Sequence, residues 1–96
     1  MNNTGTVNII REKRFLGAIV NFEIYIDSKP VGLLKNGCSI SIPINYGNHI
    51  VSLKTVDKNI DYEILISNTN KNCYIKCNCK MGLITGRAHI TKVYYE

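Results

Sequence analysis

Four cysteines, two histidines and seven acidic side chains are the groups from which this 96-residue chain could build chemistry. Cys73-x3-Cys77-x-Cys79, with Cys38 elsewhere, supplies four thiols, and four thiolates can close a tetrahedral zinc site. The spacing favours another use. On an extended strand Cys73, Ile75, Cys77 and Cys79 share one face, while Tyr74, Lys76, Asn78 and Lys80 share the other. Same-face neighbours lie about 6.5 Å apart along a strand, whereas structural zinc sites usually recruit two ligands from one tight turn. The expectation is thiols packed in a core as small hydrophobes, with no metal; metal binding and redox pairing are the alternatives. His49 and His89 are the only imidazoles, and a general base or triad would need one of them beside a nucleophile and an orienting carboxylate. Both lie near strand starts. His49 follows Gly47-Asn48 and is expected to close a turn by hydrogen bonding. The nearest acidic cluster, Asp57, Asp61 and Glu63, falls on a polar strand face beside Lys58. No catalytic residue and no cofactor are expected, so the chain reads as something other than an enzyme.

The cations are more numerous, twelve Lys and Arg against seven acids, for a net charge of +5. Arg11, Lys13 and Arg14 form one group; Lys71, Lys76, Lys80, Arg87 and Lys92 form a second. A basic surface of Arg11, Arg14, Lys76, Lys80 and Lys92 is the candidate. If the C-terminal strands pair as a hairpin, Tyr74, Lys76 and Lys80 come near Arg87, Lys92 or Tyr94, the mix of cations and aromatics that holds single-stranded nucleic acid. Against this stand the absence of Trp and of the aromatic pairs typical of RNA-binding sheets. A solvated face that keeps strand edges from aggregating is the plainer alternative, and an acidic protein or a membrane surface is a third. A different contact is suggested by Met81 to Arg87, where Leu83 and Ile84 sit between two glycines in a turn that would normally be polar. Leu83, Ile84 and Arg87 are the candidate contact with a partner protein or a second copy, and an interaction module of that kind is the expected function, with single-stranded nucleic-acid binding the alternative; for the segment itself, a loop folded back over one end of the fold is the other reading.

These side chains must be positioned by strands. Isoleucine and valine dominate the apolar content, and branching at Cβ suits a pleated sheet better than a helix. Val20, Phe22, Ile24 and Ile26 alternate with Asn21, Glu23 and Tyr25; Cys38, Ile40, Ile42 and Ile44 with Ser39, Ser41 and Pro43; Ile60, Tyr62, Ile64 and Ile66 with Asp61, Glu63 and Leu65. Further strands are expected over 6–11, 31–34, 49–56, 72–79 and 87–95. Turn chemistry separates them at 27–30, 36–37, 46–48, 57–59, 68–72 and 82–86; residues 12–18 form the least regular connection. Turns at this spacing without helices predict an all-β fold, an antiparallel β-sandwich of seven or eight strands, as one domain over 1–96. With no basic, apolar leader and no run of 18 or more apolar residues, a cytosolic location with reduced thiols is expected.

One stretch carries a likeness. Ile24-Tyr25-Ile26-Asp27-Ser28-Lys29-Pro30-Val31-Gly32, with Gly47 and His49-Ile50-Val51-Ser52-Leu53 further on, resembles the central part of PEGA-type and related prealbumin-like β-sandwich domains. In those, a strand ends in an Ile-Asp-Gly turn, the next begins with Val-Gly, and a Gly-x-His turn opens another. The match covers roughly residues 20–55. Ser28 stands where Gly is usual, Asn45-Tyr46 where Pro commonly precedes the Gly, and the Pro-Glu-Gly-Ala motif is missing. The resemblance implies a prealbumin or immunoglobulin-like sandwich acting as a binding or spacer module. It carries over no catalytic residue.

Overall fold

Alternating apolar residues become strands because side chains two apart share a face. The computed structural model, which describes residues 3–15, 17–56, 58–81 and 86–96, contains eight: β1 (Thr4–Arg11), β2 (Phe22–Ile26), β3 (Lys29–Leu34), β4 (Ser39–Asn45), β5 (Gly47–Lys54), β6 (Asn59–Ile66), β7 (Asn72–Met81) and β8 (Gly86–Tyr95). Among the described residues no helix is long and apolar enough to cross a membrane. The strands form two four-stranded sheets, sheet I in the order β4-β1-β7-β8 and sheet II in the order β3-β2-β5-β6, an arrangement compatible with a β-sandwich. Val7, Ile9, Cys73, Ile75 and Cys77 from sheet I and Phe22, Ile24, Val51, Leu53, Ile64 and Ile66 from sheet II are buried together. Each large side chain so buried contributes about 1.5–3 kcal/mol. Three thiols lie in this core, as their alternation with Tyr74, Lys76 and Lys80 predicts. The fourth does not: Cys38 precedes β4 and is exposed.

The expectation of a wholly antiparallel fold needs one correction, because β1 and β7 run parallel from Thr6↔Asn72 to Arg11↔Cys77. The cause is connectivity. Consecutive strands run in opposite directions, so odd strands point one way and even strands the other. The pairs β4-β1, β7-β8, β3-β2, β2-β5 and β5-β6 each join an odd to an even strand and are antiparallel. Only β1 and β7 pair odd with odd.

The chain's direction also defines two ends. At one, β2 and β3 are joined by Asp27-Ser28, both left-handed at φ 51° and 69°, the backbone of a type I′ hairpin turn. At the other, β1 ends at Arg11 beside the start of β2 and the end of β3. One flank between the sheets is tied where the Tyr95 hydroxyl accepts the Leu65 N–H at 3.3 Å. On the opposite flank the free edges of β3 and β4 border an open groove of about 520 Å³, floored by Ile26, Ile42 and Ile44 with Asp27, Lys29 and His49 at its rim.

Candidate functional site

The β7–β8 hairpin brings the second group of cations together. On the face opposite Cys73, Ile75 and Cys77, its register sets Tyr74 against Tyr94, Lys76 against Lys92, Asn78 against His89 and Lys80 against Arg87. The two tyrosine rings stack with centroids 5.0 Å apart and planes 8° from parallel. The Lys76 and Lys92 ammonium groups lie 5.8 Å and 5.2 Å from the centre of the Tyr94 ring, within cation–π range.

A β-bulge makes this face possible. Arg87 and Lys92 are an odd number of residues apart, so on a regular strand they would point to opposite sides. The register shifts between Lys76 and Cys77, leaving Thr91 unmatched on β8, and the Thr91 hydroxyl donates to the Lys76 carbonyl at 3.1 Å. Beyond the bulge the parity reverses. Arg87 and His89 then share the outer face with Lys92 and Tyr94, while Ala88 turns into the core at 2% exposure.

Lys76 faces Lys92 and Lys80 faces Arg87, and like charges directly opposite across a sheet are destabilising. Among the described residues none of these four cations has an acidic partner within 4.0 Å: the ion pairs are Arg14 with Glu12 at 2.9 Å and His49 with Asp27. Glu12 shares a shallow depression with Lys76 and Thr91, but its carboxylate is held by Arg14. The neighbouring strand adds Asn8 beside Tyr74 and Ile10 beside Lys76. Sheet II follows the ordinary rule, with Glu23 opposite Lys54.

Of the residues expected in a basic surface, Lys76, Lys80 and Lys92 therefore converge, and Arg87 joins them. Arg14 is exposed but belongs to the connection after β1. Arg11 is a correction, because it is 1% exposed. It follows Val7 and Ile9 at strand spacing and so points into the sandwich. Its guanidinium lies 3.9 Å over the Phe22 ring, donating from Nη1 to the Leu34 carbonyl at 2.9 Å and from Nη2 to the Gly17 carbonyl at 3.1 Å; Nε finds no partner among the described residues. Burial lowers its pKa, against the opposing pull of Cys79, Cys77 and Cys38. Leu83 and Ile84, the other part of the expected partner contact, lie outside the described residues.

Burial pushes the Cys77 thiol up to about 12 and raises that of Cys73, so both stay protonated and poorly suited to ligation or attack. No three His, Cys, Asp or Glu side chains among the described residues converge as a metal cluster. His49 closes a turn, as its place after Gly47-Asn48 predicts: Nδ1 lies 2.6 Å from Asp27 Oδ2 and Nε2 lies 2.8 Å from the Asn45 carbonyl. Both ring nitrogens are thus turned onto neighbouring groups of the two turns. Asp27 is held below the usual carboxylate range by that hydrogen bond and by the Ile50 N–H on Oδ1. His89 is exposed on the cationic face. Set against known proteins, the chain matches no family model and no curated protein.

Proposed function

We propose that this chain is a non-catalytic binding module whose outer β7–β8 face holds a single-stranded nucleic acid. The observation that carries the reading is the two pairs of opposed like charges, Lys76 with Lys92 and Lys80 with Arg87, in line along the hairpin beyond a stacked tyrosine pair. A solvated face that served stability alone would alternate its signs, as Glu23 and Lys54 do. Here the repulsion is relieved by a polyanion, with phosphates on the four cations and bases stacking on or beside the tyrosines. Kinship with PEGA-type, prealbumin-like domains belongs to the same proposal. It is supported by the hydrogen bond between Asp27 and His49, which joins the two turns that carry the resemblance. A reducing compartment such as the cytosol suits three thiols packed in an apolar core.

Lys76→Glu separates binding from a purely structural role. Opposite Lys92 the new carboxylate converts repulsion into attraction, so urea unfolding is expected to show a gain of about 0.5 kcal/mol. The affinity for a labelled oligothymidylate is expected to fall on the order of tenfold, through the loss of one phosphate contact and the repulsion introduced. A variant that gains stability and binds the oligonucleotide as the parent does contradicts the proposal.

A further inference from the structure

A second surface lies at the end where β1 finishes. Phe15 is 95% exposed, Ile19 93% and Val56 95%, while the next most exposed large apolar side chain among the described residues, Leu33, stands at 50%. The register brings all three to one end. Phe15 and Ile19 belong to the β1–β2 connection, Val56 follows β5, and Glu23 at the start of β2 pairs with Lys54 at the end of β5. The opposite end has no comparable residue among those described.

The projection of Phe15 is built into the connection. The Arg14 N–H donates to Asn36 Oδ1 at 2.9 Å and Asn36 Nδ2 donates to the Arg14 carbonyl at 3.0 Å, which fixes the chain just before Phe15. Arg11 fixes it again just after, at the Gly17 carbonyl. Gly17 is left-handed at φ +80°, and a Cβ there would stand 2.6 Å from the Cys79 sulfur. A loop clamped on both sides thus directs an aromatic ring into solvent. Around the tips lie exposed Lys13, Arg14, Lys35 and Lys58. Among the described connections at this end the one acid is Glu12, already paired with Arg14; Asp57 adds a second in the sequence.

We propose that this end docks on an anionic lipid bilayer, with Phe15, Ile19 and Val56 entering the interfacial region and the lysines and Arg14 meeting the headgroups. Apolar tips on separate connections, each almost free of neighbours, match a deformable apolar layer better than the single packed patch at the centre of a protein interface. The ring of cations supplies attraction to acidic lipids, and apolar insertion supplies the rest. The molecule measures 48 × 22 × 17 Å. Layers about 10 Å apart and strands about 4.8 Å apart account for the short dimensions, so the strands follow the long one. Docking by this end leaves the β7–β8 face at the side, and the two surfaces can be tested separately.

Flotation of the full chain with phosphatidylcholine vesicles containing about one-third phosphatidylserine tests this. Binding is expected, weakened tenfold or more on pure phosphatidylcholine, and weakened similarly in Phe15→Ala/Ile19→Ala/Val56→Ala. The far-ultraviolet spectrum of that variant should match the parent's, because the three side chains are outside the core. Tyr74→Ala/Tyr94→Ala should keep vesicle binding, so loss of the nucleic-acid reading would leave this one standing. Absence of binding to the acidic vesicles, equal binding by the triple variant, or a dimer in vesicle-free solution that the triple variant abolishes would overturn the proposal.

Discussion

The Arg11 guanidinium is buried without a carboxylate, and its place follows from geometry more than charge. Two carbonyls and the face of Phe22 take up the cation, and in doing so they join the end of β3 to the connection after β1. Replacing it by Ala removes the side-chain donor from the Leu34 carbonyl, leaves the Gly17 carbonyl with the Val20 N–H alone, and opens space over the ring. Urea denaturation of Arg11→Ala should therefore show a loss of about 3 kcal/mol. Arg11→Lys should recover only part of that, since a point charge cannot span both acceptors as the planar fork does. A loss under about 0.5 kcal/mol would mean that the side chain is not structural. The burial was legible in the sequence from the alternation Val7, Ile9, Arg11. Counting Arg11 with Lys13 and Arg14 as a charge cluster obscured it, because the strand ends at Arg11 and the other two belong to the connection beyond it. The core thiols were legible for the same reason that Arg11 was: Cys73, Cys77 and Cys79 keep step with Ile75.

At the level of the strand, two hairpins depart from the simplest geometry. The β2–β3 turn places Ser28 in the left-handed region at φ 69°, where a side chain is disfavoured and glycine is not. Ser28→Gly should raise stability by about 0.5–1 kcal/mol, read as an increased urea midpoint at unchanged slope. A fall in midpoint would show that the Ser28 side chain makes a compensating contact. The β7–β8 hairpin carries the Thr91 bulge that reverses parity and collects four cations on one face. All eight strands were visible as alternation or as β-rich runs between turn residues. Their partners were not: the parallel pairing of β1 with β7 joins segments about sixty-six residues apart, as Thr6↔Asn72 shows, and no local pattern encodes such a contact. The bulge did leave a trace. Arg87 and His89 fall out of phase with Lys92 and Tyr94, which is the pattern expected of an inserted residue and is readable once the two strands are known to pair.

Over the whole molecule, the net charge of +5 is unevenly distributed. The outer face of sheet I gathers Lys76, Lys80, Arg87 and Lys92, while sheet II exposes Glu23, Asp61 and Glu63 with Lys29 and Lys54. Composition predicted a modestly basic protein and could not separate these faces, since separation depends on which strands share a sheet. Both surfaces proposed for binding are consequences of the same topology: parity of strand direction sends every odd strand to the Arg11 end, and pairing in sheet I puts β7 and β8 at one edge. The β7–β8 face carries the proposed function, and salt dependence tests it most directly. Fluorescence anisotropy with a labelled oligothymidylate should give binding at low salt whose affinity falls as salt rises, with a log–log slope of about −3 if the four cations each meet a phosphate at about −0.7 apiece. Absence of binding at low salt, or an affinity that does not change with salt, would contradict it.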